Sequence, residues 1–122
     1  MKTIFFVEDD ESLQDIAQLV FSEPDFAISI FSSAEELLDE NGYPHVYVLD
    51  KQLPGIDGLE LCRILKSDAQ TKNIPIVMVS ADPDIKALAA SAGADAVLEK
   101  PFSIHELLAV VTNASMQIST NK

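Results

Sequence analysis

The sequence predicts an α/β fold in which a parallel sheet of five strands is covered by helices on both faces. Two observations predict it. Short apolar blocks alternate five times with segments whose apolar residues recur at helical spacing. The blocks also read as continuous apolar runs, as Ile76 to Val79 does, where a half-exposed strand would alternate. Length agrees: 122 residues, 48% of them hydrophobic, suit one compact domain with a real core and leave no room for a second.

Thr3 to Val7 is a first strand running into Glu8, Asp9 and Asp10. Leu13, Ile16, Ala17 and Val20 mark the first helix, broken at Pro24-Asp25. Phe26 to Phe31 is the second strand. Ser33 with Glu36 three residues on has the pattern of a capping box, opening a helix that should end near Asn41-Gly42. His45 to Leu49 is the third strand, closed by Asp50. Pro54-Gly55 and Asp57-Gly58 mark a loop, with Asp57 capping a third helix that carries Leu59, Cys62, Ile64 and Leu65. Pro75 to Val79 is the fourth strand, ending at Ser80. Asp82-Pro83 reads as the N-cap and first-turn proline of a fourth helix, with apolar face Ile85, Leu88, Ala89 and Ala92 and a stop at Gly93. Ala96 to Leu98 is a short fifth strand leading through Glu99 to Lys100. Ser103 with Glu106 repeats the capping box ahead of Leu107, Leu108 and Val111. The single domain, 1–122, is expected to have its core over about 3–116 and a polar tail, 117–122, that frays.

Right-handed crossovers leave few topologies for five such units, and the common strand order is 2-1-3-4-5, the doubly wound (βα)5 flavodoxin-like arrangement. Ligands of such sheets bind outside the carboxyl ends of the strands, where the winding reverses between strands 1 and 3. At that edge the sequence places Glu8 and Asp9, Asp50, Ser80 and Lys100. Three clustered carboxylates repel, and at least one should stay protonated unless a cation joins them. An all-oxygen set without Cys or His selects a hard ion, Mg²⁺ or Mn²⁺. Mg²⁺ tends to bind one or two carboxylates plus a phosphate, so the crevice suits a phosphoryl group, and a carboxylate can itself attack phosphorus. A solvated acidic rim would also carry acids, but here every polar group falls at one edge of the sheet.

Composition narrows the function. Twenty acids against eight bases give a net charge of −12, which repels nucleic-acid backbones and anionic membranes, so no direct nucleic-acid or membrane partner is expected. No apolar run approaches the roughly 18 residues of a membrane span. Cys62 is the only cysteine, which fits a reducing, cytoplasmic setting. It reads as a core residue, His45 lies at the wrong end of its strand for a metal ligand, and His105 reads as solvated.

Val7-Glu8-Asp9-Asp10, Val48-Leu49-Asp50 with Leu53-Pro54-Gly55-Ile56-Asp57-Gly58, Val79-Ser80-Ala81 and Lys100-Pro101-Phe102 together resemble the signature blocks of response-regulator receiver domains, over roughly residues 3–116. The resemblance implies that Asp50 is the phospho-acceptor. It implies that Glu8 and Asp9 hold Mg²⁺ together with Asp50 and the backbone carbonyl of Gln52, Asp9 being the more direct acidic ligand. Ser80 would be the switch hydroxyl, Lys100 the phosphate-binding lysine, and the Lys100-Pro101 bond cis. The implied donor is a phosphohistidine on a sensor histidine kinase or histidine phosphotransfer protein. The implied readout surface is the fourth helix, fifth strand and fifth helix. Such a domain is a switch that phosphorylates its own side chain, not a turnover enzyme.

Two positions depart from the family pattern. Val97 stands where the family often has an aromatic rotor, and Lys51 follows the acceptor where an apolar residue is more usual; it either leans over the pocket mouth or is solvated. Two rival functions compete with the switch. A haloacid-dehalogenase-type phosphatase also forms an aspartyl phosphate, but Glu8-Asp9-Asp10 lacks its Asp spacing. A phosphate-independent docking receiver would have lost an acid or the lysine, and both are present.

Overall fold

The structure is a computed structural model that describes residues 1–117. Strands and helices alternate as β1 (Lys2–Val7), α1 (Glu11–Val20), β2 (Phe26–Phe31), α2 (Ala34–Leu38), β3 (Val46–Asp50), α3 (Gly58–Ser67), β4 (Ile76–Ser80), α4 (Ile85–Ala92), β5 (Ala96–Glu99) and α5 (Ile104–Ser115). The sheet is parallel throughout, in the order β2-β1-β3-β4-β5. This is the doubly wound arrangement expected from the sequence.

Strand side chains alternate between two core layers. Phe5, Val7, Tyr47, Leu49, Ile76 and Met78 face α2, α3 and α4, where they meet Leu37, Leu61, Cys62, Leu65, Ile85 and Ala89. Ile4, Phe6, Val46, Val48, Val77 and Val79 face α1 and α5, against Ala17, Phe21, Leu107 and Val111. Every residue of β3 and β4 is buried, which explains their unbroken apolar runs. Each fully buried Leu or Ile contributes about 1.5–3 kcal/mol, so these central strands hold the carboxyl edge rigid.

Four local readings change. α2 stops at Leu38, short of Asn41-Gly42. Asp39 and Glu40 are acids at the helix C-terminus, where the dipole disfavours them. Glu36 also completes no reciprocal box: its N–H donates to Ser33 Oγ, but its carboxylate accepts from Ser32 N–H. The full box forms at α5, between Ser103 and Glu106. In α3 Leu61, absent from the expected apolar face, is fully buried along with Cys62, while Ile64 is only half-buried.

The fourth change lies before α4, where Asp82 is not the cap. Its carbonyl accepts from Ile85 N–H across a turn with Pro83 at the second position, and its side chain accepts from Asp84 N–H. Gly93 ends α4 at φ +94°, which glycine tolerates at little steric cost. The Lys100-Pro101 bond is cis. Among the described residues no helix is long and apolar enough to cross a membrane. The polar tail beyond 117 lies outside the described residues.

Candidate functional site

The site is assembled from strand ends that the sheet holds side by side. Glu8 follows β1 and stays in the ladder, its N–H donating to Phe31 O at 2.9 Å. The residue is 1% exposed, and its side chain accepts from Asp10 N–H. Asp10 in turn caps α1 through Ser12 and Leu13 N–H. Asp9 is therefore pinned between a strand and a helix cap, with its carboxylate exposed. Asp50 ends β3 and is buried. The chain beyond it is fixed twice: Lys51 N–H donates to Val79 O, and Gly58 N–H donates to Lys51 O. Gly58 packs so tightly there that an added Cβ would sit 2.0 Å from the Asp50 carbonyl oxygen.

Carboxylate oxygens of Glu8, Asp9 and Asp50 lie within 4.8 Å of one another. Lys100 sends Nζ between the two buried acids, 3.7 Å from Glu8 Oε1 and 3.6 Å from Asp50 Oδ1. One ammonium does not neutralise three carboxylates. Burial, a hydrogen bond with Asp50 and the Asp50 charge push the Glu8 carboxyl up to about 8. Without a cation, Glu8 therefore holds a proton at neutral pH. The donor set fits a hard divalent ion: it is all oxygen, excess in negative charge, and concentrated at one point.

Beside the acids opens a cavity of about 320 Å³ lined by Asp50, Gln52, Ser80, Ala81, Asp82 and Lys100. Ser80 is buried at the end of β4, and its Oγ accepts from Asp82 N–H at 2.9 Å. Gln52 N–H reaches toward Asp50 Oδ1 at 3.5 Å. A carboxylate, a hydroxyl and an ammonium thus converge on one space. All six residues singled out from the sequence, Glu8, Asp9, Asp50, Gln52, Ser80 and Lys100, gather at this edge.

Asp82 was missed. It lines the cavity, and its carboxylate pairs with Lys51 Nζ at 3.4 Å. The available signal was its place two residues beyond Ser80, on a loop leaving the same edge. Lys51 therefore leans over the mouth and is not simply solvated. Val97 is half-buried against the core on the α3–α4 side, beside Met78 in the sheet register. The remaining temptations are structural. His45 Nδ1 accepts from Thr3 N–H at the far end of β3. Asp57 caps α3. Burial pushes the Cys62 thiol up to about 11, so it is no nucleophile.

Comparison with known proteins agrees with this geometry. The family model for the response regulator receiver domain matches residues 4–112. The transcriptional regulatory protein YkoG of Bacillus subtilis is 37% identical over 96% of this chain and 52% of its own length. The chain spans about half the length of the curated relatives it matches. A response regulator structure from Chloroflexus aurantiacus superposes with a TM-score of 0.88 at 33% identity, covering 95% of this chain and 98% of that one. The BeF3-activated receiver domain of DrrB, a Thermotoga maritima protein, gives 0.86 at 27% identity over 96% and 99%.

Proposed function

This chain belongs to the response regulator receiver domain family of two-component signalling, and we propose that it accepts a phosphoryl group on Asp50. The observation that carries the proposal is the buried Asp50 carboxylate, with an ammonium 3.6 Å away, two further carboxylates within 4.8 Å and an open cavity in front of it. Glu8, Asp9, Asp50 and the Gln52 carbonyl would hold Mg²⁺ or Mn²⁺. When bound, the ion supplies charge neutralisation for the acids and for the incoming phosphoryl oxygens.

The chain's own groups do the rest. An Asp50 carboxylate oxygen attacks phosphorus, the bond from phosphorus to the donor breaks, and the donor leaves with the bonding pair. Lys100 gives up its contact with the acids for a phosphoryl oxygen. The Ser80 hydroxyl donates to another. Each molecule modifies itself once, which makes it a switch and not a turnover enzyme.

The proposed donor is a phosphohistidine on a sensor histidine kinase or histidine phosphotransfer protein. An apolar groove beside the cleft supports a protein donor: Leu13, Ile16, Phe102 and Ile104 line it, and it shares Ala81 and Lys100 with the cavity. The proposed readout is α4, β5 and α5, because the loop following Ser80 leads into α4 and Lys100 leads into α5. We also propose one folding unit over about 3–116, and a cytoplasmic location in keeping with a single, buried cysteine, Cys62. Incubation with acetyl phosphate and Mg²⁺ should add one phosphoryl group, trapped by borohydride and located by mass spectrometry at Asp50. Asp50→Asn should take up none, and a label at Asp57 would overturn the assignment.

A further inference from the structure

We infer that the Lys51–Asp82 ion pair is a clasp that holds the loop between β4 and α4 in its unphosphorylated position, and that a phosphoryl group on Asp50 releases it. The inference rests on the reading of Asp50 as acceptor and Ser80 as the hydroxyl that follows the phosphoryl group. One end of the clasp is anchored. Lys51 is held by Val79 O and by Gly58 N–H, and Gly58 is wedged against the Asp50 carbonyl. The other end belongs to a movable unit. Asp82 Oδ1 accepts from Asp84 N–H at 2.9 Å, and the Asp82 carbonyl accepts from Ile85 N–H at 3.1 Å, so displacing Asp82 displaces the start of α4.

The same residue is tied to the chemistry. Asp82 N–H donates to Ser80 Oγ, the hydroxyl that lines the cavity. If Ser80 swings toward a phosphoryl oxygen, the Asp82 N–H must follow it or lose its acceptor. Following shifts Asp82 against an anchored Lys51 and disturbs the 3.4 Å contact between Asp82 Oδ2 and Lys51 Nζ. The new dianion also competes for the Lys51 ammonium, one residue from the acceptor. The clasp is thus loaded in the resting state and loosened from both ends by the modification. Hydrogen bonding from Asp84 N–H and the nearness of Lys51 hold the Asp82 carboxyl below the usual carboxylate range, which keeps it charged for this role. A pair as exposed as this one, 21% and 30%, biases an equilibrium by up to about fivefold.

Amide hydrogen exchange read by NMR tests the clasp in the full chain. In the resting protein, Lys51→Met should speed exchange at Asp82 and Ile85 by up to about fivefold. Lys51→Arg, which keeps the pair, should leave both rates alone. Val48 in β3 should not change in either variant, which separates a clasp from general loosening. Unchanged rates in Lys51→Met, or a Val48 rate that rises equally, would overturn the clasp. Beryllofluoride with Mg²⁺, standing in for the phosphoryl group, should speed the same two amides in the wild-type protein and add little in Lys51→Met. Beryllofluoride that shifts the Gln52 resonance yet leaves those amides unchanged would overturn release by the anion. A protein that ignores beryllofluoride altogether would overturn the acceptor reading and clasp release with it, and the resting-state comparison stands apart from that result.

Discussion

Glu8 carries a proton that an ordinary glutamate would have lost, and that sets a pH dependence. Its carboxyl titrates near 8 in the metal-free fold, against an ordinary value of 4.5. Between those values the folded chain binds a proton that the unfolded chain does not, so stability falls as pH rises through this window and levels off above it. Thermal melts in chelator should show lower midpoints at pH 8 than at pH 5. Glu8→Gln should flatten that slope, and an unaltered slope would place the titration elsewhere. Asp9 is the exposed member of the trio. Asp9→Asn should weaken Mg²⁺ binding by at least about tenfold, the lower range seen when even an outer partner of a ligand is lost. Isothermal titration would measure it, and unchanged affinity would move the ion off Asp9. At this scale the sequence made the identities legible, because each residue terminates or follows a strand. That one of the clustered acids keeps a proton was legible too; that it is Glu8 was not, because this depends on how deeply Glu8 is buried.

Elements differ in how firmly they hold the site. β3 and β4 are buried along their whole length, while α4 packs through Ile85, Ala89 and Ala92. Alanines bury little surface, so α4 is held less firmly than the strands it follows. Gly58, the first residue of α3, packs so closely on the end of β3 that an added Cβ would overlap the Asp50 carbonyl. Gly58→Ala should cost about 1–3 kcal/mol through that overlap and should slow acetyl phosphate labelling by displacing Asp50. Urea melts and labelling rates check the two effects, and a wild-type labelling rate would show that the displacement spares Asp50. Capping chemistry was readable where the pattern was complete, as at Ser103 and Glu106. It misled at Asp82, where a proline one residue on favours a turn as readily as a helix start.

The molecule as a whole is strongly acidic, at −12, and concentrates three of its acids at one point. An ion that binds only the folded form stabilises it by mass action, about 2.7 kcal/mol at a hundredfold excess over its dissociation constant. Mg²⁺ should therefore raise the melting temperature in a concentration-dependent way, and chelator should reverse it. Sodium chloride at equal ionic strength should not reproduce the effect; if it does, general screening of the acids is responsible. The class of fold and the edge that carries the chemistry were determined by the sequence alone. Alternating apolar runs and helical periods report burial directly, and a parallel sheet forces the polar strand ends together whatever the loops do. Only the tertiary structure decided the pairing of Lys51 with Asp82 and that Glu8 is the acid that keeps the proton. Each depends on side-chain distances between segments remote in the chain, set by loop paths and packing depth, and no periodicity in the sequence encodes them.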